Sequence, residues 1–192
     1  MIFLETERLL FRPHRREDEP AFIRMHTDPR VRRYAGGPAW SGEIALQRFQ
    51  TEYLGKPYKT YGLWAAVLKM ESKGKENEEE KFIGSAGLRF VRAGEASLGL
   101  YFAPFYWGRG FGTEAGRAFV DLAFDRLELS RVVADVEKGH TASERVLQKV
   151  GFAKVREEVI PGGSRIICHY ELPLKALKEE KHMPIPMRRA RT

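Results

Sequence analysis

Three glycines at alternate positions, Gly108, Gly110 and Gly112, stand between a strand-like run that Pro104 ends and a helical pattern over 112–127. Alternate glycines let the backbone come close to a ligand and accept positive φ. A helix start adds several unpaired N–H groups and the positive end of the helix dipole. Strand, turn and helix in that order therefore form a cradle for a phosphate group. Arg109 inside the turn and Arg117 further along the helix add charge suited to a pyrophosphate or a ribose phosphate. A tight turn without a ligand is the alternative. The helix itself carries Ala115, Ala118, Phe119, Leu122, Ala123 and Leu127 on one stripe at the 3.6-residue period.

The ligand's identity depends on what surrounds the turn. Gly110-Phe111-Gly112-Thr113-Glu114-Ala115 satisfies the dinucleotide pattern G-x-G-x-x-G/A, with Glu137 some 25 residues on. That fold wants repeated βαβ units, whereas here the strands before the turn read as an antiparallel series. A P-loop is excluded because no Gly-Lys-Ser/Thr follows the glycines.

Residues 3–12 alternate toward a strand that Pro13 stops. Helical spacing follows over 17–26, closed by Asp28-Pro29, and again over 41–53 with Ser41 as N-cap. Strands are expected at 61–68, 82–91 and 96–103, the last two joined by a turn holding Gly94. Between the first two, 69–81 is a charged run expected to be a mobile surface loop. Beyond the glycine turn come a strand at 131–137, a Thr141-x-x-Glu144 capping box, a helix ending at Gly151, and a hairpin of 152–160 with 165–173.

Composition narrows the class further. The chain has 192 residues, 43% hydrophobic and 31% charged, which suits one soluble domain over 1–174. No apolar run approaches the ~20 residues of a membrane span, and no export signal is visible at the N-terminus. The single cysteine, Cys168, lies in a strand-like run and reads as a buried, inert thiol; a cytoplasmic location is expected, and no metal cluster is visible. Residues 175–192 hold six Lys/Arg against two Glu, a net +4 of the chain's +7. A solvated, flexible basic tail is expected there, with an RNA contact as the alternative, so nucleic acid is unlikely as a partner elsewhere.

Three blocks in order make the chain resemble the GNAT acyltransferase superfamily, in particular its ribosomal-protein-alanine and amino-group N-acetyltransferase branch. They are Leu4-Glu5-Thr6-Glu7-Arg8-Leu9-Leu10-Phe11-Arg12-Pro13, Tyr106-Trp107-Gly108-Arg109-Gly110-Phe111-Gly112-Thr113-Glu114-Ala115, and Ala142-Ser143-Glu144-Arg145-Val146-Leu147-Gln148-Lys149-Val150-Gly151-Phe152. The resemblance implies a mixed α/β (α+β) fold. Its central, twisted, mostly antiparallel sheet has about seven strands, a V-shaped splay between strands 4 and 5, and about four flanking helices. Acetyl-CoA is the implied donor and lies in that splay. The implied contacts are Leu100, Phe102 and Ala103 on the strand, Gly108, Arg109, Gly110, Phe111, Gly112 and Thr113 in the turn, and His140 and Ser143 beyond it.

Two positions depart from the wider family, which often has Asn at 140 and Tyr at 147 where this chain has His140 and Leu147. Without that tyrosine, Ser143 is the candidate proton donor to the departing thiolate. Relatives often carry Glu where this chain has Ser97; Glu95, two residues away on the same side of the strand, is the candidate water-relayed base, with a solvated turn-end carboxylate as the alternative. Tyr34, Trp40 and Tyr53 are expected either as a substrate-contacting wall or as aromatic core. The implied reaction is direct attack by a primary amine, on a protein N-terminus or a small molecule, with no covalent intermediate and so no role for Cys168. A homodimer is possible within this family. The rival reading is a non-catalytic coenzyme A-binding module that acts through its basic tail on RNA or ribosomes.

Overall fold

The computed structural model describes residues 3–35, 37–56, 60–69, 81–162 and 165–174. The charged run at 70–80 and the basic tail at 175–192 lie outside the described residues. One eight-stranded sheet, ordered β1-β2-β3-β4-β5-β6-β8-β7, forms the centre. Its strands are β1 (Leu4–Glu5), β2 (Leu9–Arg12), β3 (Gly62–Leu68), β4 (Lys81–Arg92), β5 (Glu95–Phe102), β6 (Arg131–Glu137), β7 (Ala153–Val159) and β8 (Ile166–Pro173). Every pairing is antiparallel except β5 with β6. The single strand expected at 3–12 is instead a small hairpin. Thr6 Oγ1 accepts from the Leu9 N–H at 3.0 Å and its own N–H donates to the Leu9 carbonyl, which folds the segment back on itself.

Among the described residues five helices flank the sheet: α1 (Glu19–Thr27), α2 (Pro29–Arg32), α3 (Gly42–Arg48), α4 (Phe111–Asp121) and α5 (Thr141–Val150). The short α2 was not expected. Asp28 closes α1 and at once caps α2, its carboxylate accepting from the Arg30 N–H at 2.8 Å. Ser41 caps α3 as expected, accepting from the Ile44 N–H at 3.2 Å. The capping box expected at the start of α5 does not form; His140 holds the N-cap position without a side-chain bond, and Thr141 is already helical. The helical patterns at 41–53 and 112–127 each end in one wide π-type turn, at Phe49–Tyr53 and Leu122–Arg126.

Strand alternation assigns the two faces. Leu9, Phe11, Trp64, Ala66, Ile83, Leu98 and Val132 point toward α4 and α5, and Phe11 meets Phe119 edge-on at 4.9 Å. Ala65, Val67 and Phe82 point to the other side, where Phe22 and Met25 of α1 and Phe49 cover them. Burial on both faces explains why β3 reads as an unbroken apolar run. Gly112 and Gly116 let α4 settle on α5, since a Cβ would stand 3.4 Å from Val146 Cγ2 at the first and 2.9 Å from Val150 Cγ2 at the second. Cys168 is buried among this core, and burial pushes its thiol pKa up.

Candidate active site

β5 and β6 pair only at Glu95 with Arg131, Ala96 with Val132 and Ser97 with Val133. Beyond Ser97 the strands diverge, while β5 keeps pairing with β4 on its other edge as far as Phe102. The backbone edge of 98–101 therefore lines an open gap, ready to hydrogen-bond an extended ligand arm. The side chains of Leu100 and Phe102 turn to the α4 core. Ala103 has less to offer than expected. Its N–H donates to the Ile83 carbonyl at 3.0 Å and its carbonyl accepts from the Tyr106 N–H at 2.9 Å.

The chain leaves β5 through a short 3-10 turn, Pro104–Tyr106, and enters the glycine stretch. Gly108 (φ 75°) and Gly110 (φ 85°) both adopt the left-handed conformation, and Gly110 is the N-cap of α4 with no side-chain cap. The first N–H groups of α4 are thus left for an anion at the positive end of the helix dipole. A Cβ at Gly108 would meet nothing within 4 Å, so that glycine serves backbone conformation and approach rather than internal packing. Phe111 buries its ring, leaving only its backbone for a ligand. Arg109 stacks its guanidinium on Phe105 at 4.7 Å. Arg117 donates to the Lys149 carbonyl at 3.0 Å and, with Thr113, borders an open groove of about 810 Å³ between α4 and residues 4–8 of the N-terminal hairpin.

The N-terminal hairpin braces this turn from behind. Glu114 accepts from the Thr6 hydroxyl at 2.7 Å, the Arg8 N–H at 2.8 Å and Arg8 Nε at 2.7 Å. Arg8 also donates to the Arg109 carbonyl at 3.0 Å and lies over the Phe111 ring. Burial opposes ionisation of Glu114, but the Thr6 hydroxyl, the Arg8 N–H and the Arg8 guanidinium together hold its pKa below the ordinary carboxylate range. Two sequence blocks more than 100 residues apart are one structural unit. Trp107, given no role from sequence, pins the turn to β5 by donating from Nε1 to the Phe102 carbonyl at 2.6 Å.

Across the gap, Ser143 sits half-buried in the first turn of α5, and among the described residues its hydroxyl has no partner. His140 at the N-cap stacks on Tyr34 at 4.4 Å, so the turn that follows α2 reaches the α5 side of the splay. Burial lowers the His140 pKa, with Glu144 and Glu137 opposing. Leu147 is core.

Glu95, the candidate base, is already paired. It is 6% exposed, in contrast to the solvated carboxylate considered from sequence, and its Oε2 is held by Arg92 and Arg131 at 2.8 Å each. These contacts sit where β5 and β6 are still hydrogen-bonded, so Glu95 ties the closed end of the splay.

The face opposite α4 carries an aromatic and cationic cluster that sequence reasoning saw only in part. Trp40 stacks on His26 at 4.5 Å, with Arg32 and Arg48 over the same indole at 4.5 and 4.8 Å. Tyr53 packs on Phe22 at 4.7 Å, and Tyr101 of β5 lies 6.2 Å from His26. His26 is buried with neither ring nitrogen partnered among the described residues. Burial, then Arg32, His14 and Arg48, hold its pKa near 3; burial likewise lowers His14 to about 4, with Asp18 opposing and Arg12 adding to the fall. His14 shares a hydrogen bond of 2.9 Å with Ser85, and beside it Arg12 and Asp18 form a buried two-point ion pair at 2.7 and 2.9 Å. The arginine run at 30, 32 and 33 was the available sequence signal; His26 gave none.

Known proteins match this arrangement. The family model for the acetyltransferase (GNAT) domain covers residues 8–153. The chain is similar to the uncharacterized N-acetyltransferase p20 of Bacillus licheniformis, 26% identical over 158 residues that span 79% of this chain and 82% of that one. Its fold is similar to that of a GNAT-family acetyltransferase from Bacillus anthracis, with TM-score 0.75 and 21% identity over 90% of this chain and 98% of that one. A spermidine N-acetyltransferase from Vibrio cholerae, solved with CoA and spermine, matches with TM-score 0.68 and 15% identity over 89% and 98% of the two chains. With the splay, the uncapped helix start and the family match all in one place, the chain belongs to the GNAT acetyltransferases and is an N-acetyltransferase that uses acetyl-CoA.

Proposed function

We propose that this protein acetylates a primary amine presented from the α1–α3 side of the sheet, by direct attack within a ternary complex. The observation that supports this most is the gap beyond Ser97 and Val133, open to the uncapped start of α4 on one side and to the Tyr101 side of β5 on the other. Backbone N–H groups of 109–113 would hold the pyrophosphate and the free edge of 98–101 the pantetheine arm, with Arg117 in reach of a further phosphate. When bound, acetyl-CoA supplies an acetyl group already activated as a thioester.

The chain's own residues orient and discharge the reaction. As the C–N bond forms and the C–S bond breaks, Ser143, unbonded among the described residues in the first turn of α5, donates its hydroxyl proton to the leaving sulfur and is reprotonated from solvent, which takes the proton that the attacking nitrogen loses. His140, stacked on Tyr34, sets the width of the opening on that side. Glu95 is committed to Arg92 and Arg131, which favours an acceptor that needs no strong base. The α-amine of a peptide, with a pKa of about 7.7–8.0, is about half neutral near pH 8, whereas a lysine side chain at about 10.4 is almost wholly protonated.

Calorimetry with acetyl-CoA, followed by thiol release on a panel of amines, tests the reading. Binding plus release with at least one amine is expected. Tight binding with release on no amine class would sink it.

A further inference from the structure

On the acceptor side, Arg32 has no carboxylate partner among the described residues. Arg32 and Arg48 both converge on the Trp40 indole, at 4.5 and 4.8 Å. Arg30 pairs with Asp28, and Arg48 reaches Glu52 only at 3.4 Å on the exposed outer side. Arg32 and Arg33 have no carboxylate partner among the described residues. Like-charged guanidiniums gathered on one ring repel each other unless an anion lies between them.

Three polar atoms at this place are buried without a hydrogen-bond partner among the described residues: Arg32 Nε and both ring nitrogens of His26. Buried polar atoms are nearly always satisfied, and a cluster of exceptions marks a place where a ligand or ordered water completes the bonding. Position adds to this. Tyr101 lies on the free half of β5, its ring 6.2 Å from His26, which in turn stacks on Trp40. The Trp40 cluster is therefore connected through His26 to the free half of β5.

We infer that Arg32 and Arg48, set against Trp40, form an anion subsite that binds a carboxylate carried by the acceptor, so that the acceptor is a carboxylate-bearing primary amine and not a polycation. The inference rests on the acetyl-transfer reading and specifies its acceptor. Neutral His26 supports the indole from behind without adding charge. A polyamine or an aminoglycoside would bring positive charge against two guanidiniums, which is unfavourable wherever solvent is excluded.

The test compares each amino acid with its own carboxamide by coenzyme A release, with spermidine and kanamycin as polycationic probes. At least one amino acid should exceed its amide by tenfold or more in kcat/KM, carried mainly in KM. Arg32→Gln should bring that ratio close to one while the KM for acetyl-CoA stays unchanged, and Arg48→Gln, at an exposed position, should lower it in the same direction. Quenching or shift of Trp40 fluorescence by the acid but not the amide, in the presence of coenzyme A, reads binding apart from turnover. Equal turnover of acid and amide, a preference for the polycations, or a ratio untouched by Arg32→Gln would overturn the subsite and leave acetyl transfer standing. Release with no amine at all would instead overturn the acetyl-transfer reading.

Discussion

The two sides of the splay are built from different material. On the α4 side the ligand-facing groups are backbone: two glycines at positive φ, an uncapped helix start and an unpaired strand edge. On the α1–α3 side they are side chains, Trp40, Tyr53, Tyr101, Arg32, Arg48 and His26, drawn from four separate segments. A backbone site binds a group that never changes, as the pyrophosphate of coenzyme A does not. A side-chain site can be altered residue by residue, which suits the half of the reaction that differs between relatives.

The contrast can be broken or sharpened experimentally. The largest effect should come from the ion pair beneath the side-chain half. Asp18→Asn leaves Arg12 buried against a neutral partner, at a cost of about 3–5 kcal/mol, and should lower Tm by roughly 10 °C in calorimetry. An unchanged Tm would mean that solvent reaches the pair. Next in size, Ser143→Ala should reduce kcat about 100-fold at constant KM for acetyl-CoA; a loss under threefold would assign Ser143 to helix packing.

On the backbone half, Gly110→Val places a β-branched residue at φ 85°. It should raise the Kd for acetyl-CoA by about thirtyfold, in line with ~2 kcal/mol of strain and blocked approach. Normal affinity in that variant would remove the cradle assignment. The smallest effect is on pH dependence. His26 is held neutral in the fold near a pKa of 3, against about 6.5 when unfolded. The unfolded chain therefore binds more protons between those values, and stability present above pH 6.5 is lost as pH falls. His26→Phe should flatten the slope of unfolding free energy between pH 6.5 and 4.5 by up to about 1.4 kcal/mol per pH unit, read from guanidinium midpoints. No change in slope would show that His26 is solvated.

Legibility in the sequence followed the same division. Gly108, Gly110 and Gly112 announced the donor turn because a glycine's conformational freedom is a property of the residue itself. Ser41 and Gly151 were equally readable as helix ends. Thr141 was misread as a cap because the helix begins one residue earlier, with His140 at its N-cap. Glu95 was misjudged because its partner Arg131 lies 36 positions away on β6 and reaches it only through the parallel pairing. Trp40 and Tyr53 could be singled out by type, but no spacing rule predicts that Trp40 gathers Arg32, Arg48 and His26 around it.

The sequence by itself determined most of the order of elements and the glycine turn, since propensity, periodicity and φ preference act over a few residues, and its resemblance to the GNAT superfamily supplied the donor. Tertiary structure decided what pairs across distance. It closed β5 on β6 for three residues and then opened the gap, clasped Glu114 with Thr6 and Arg8, and gathered Arg32 and Arg48 around Trp40 on the acceptor side. Such features depend on the packing of segments far apart in the chain, where burial and charge are set by neighbours that local sequence does not name.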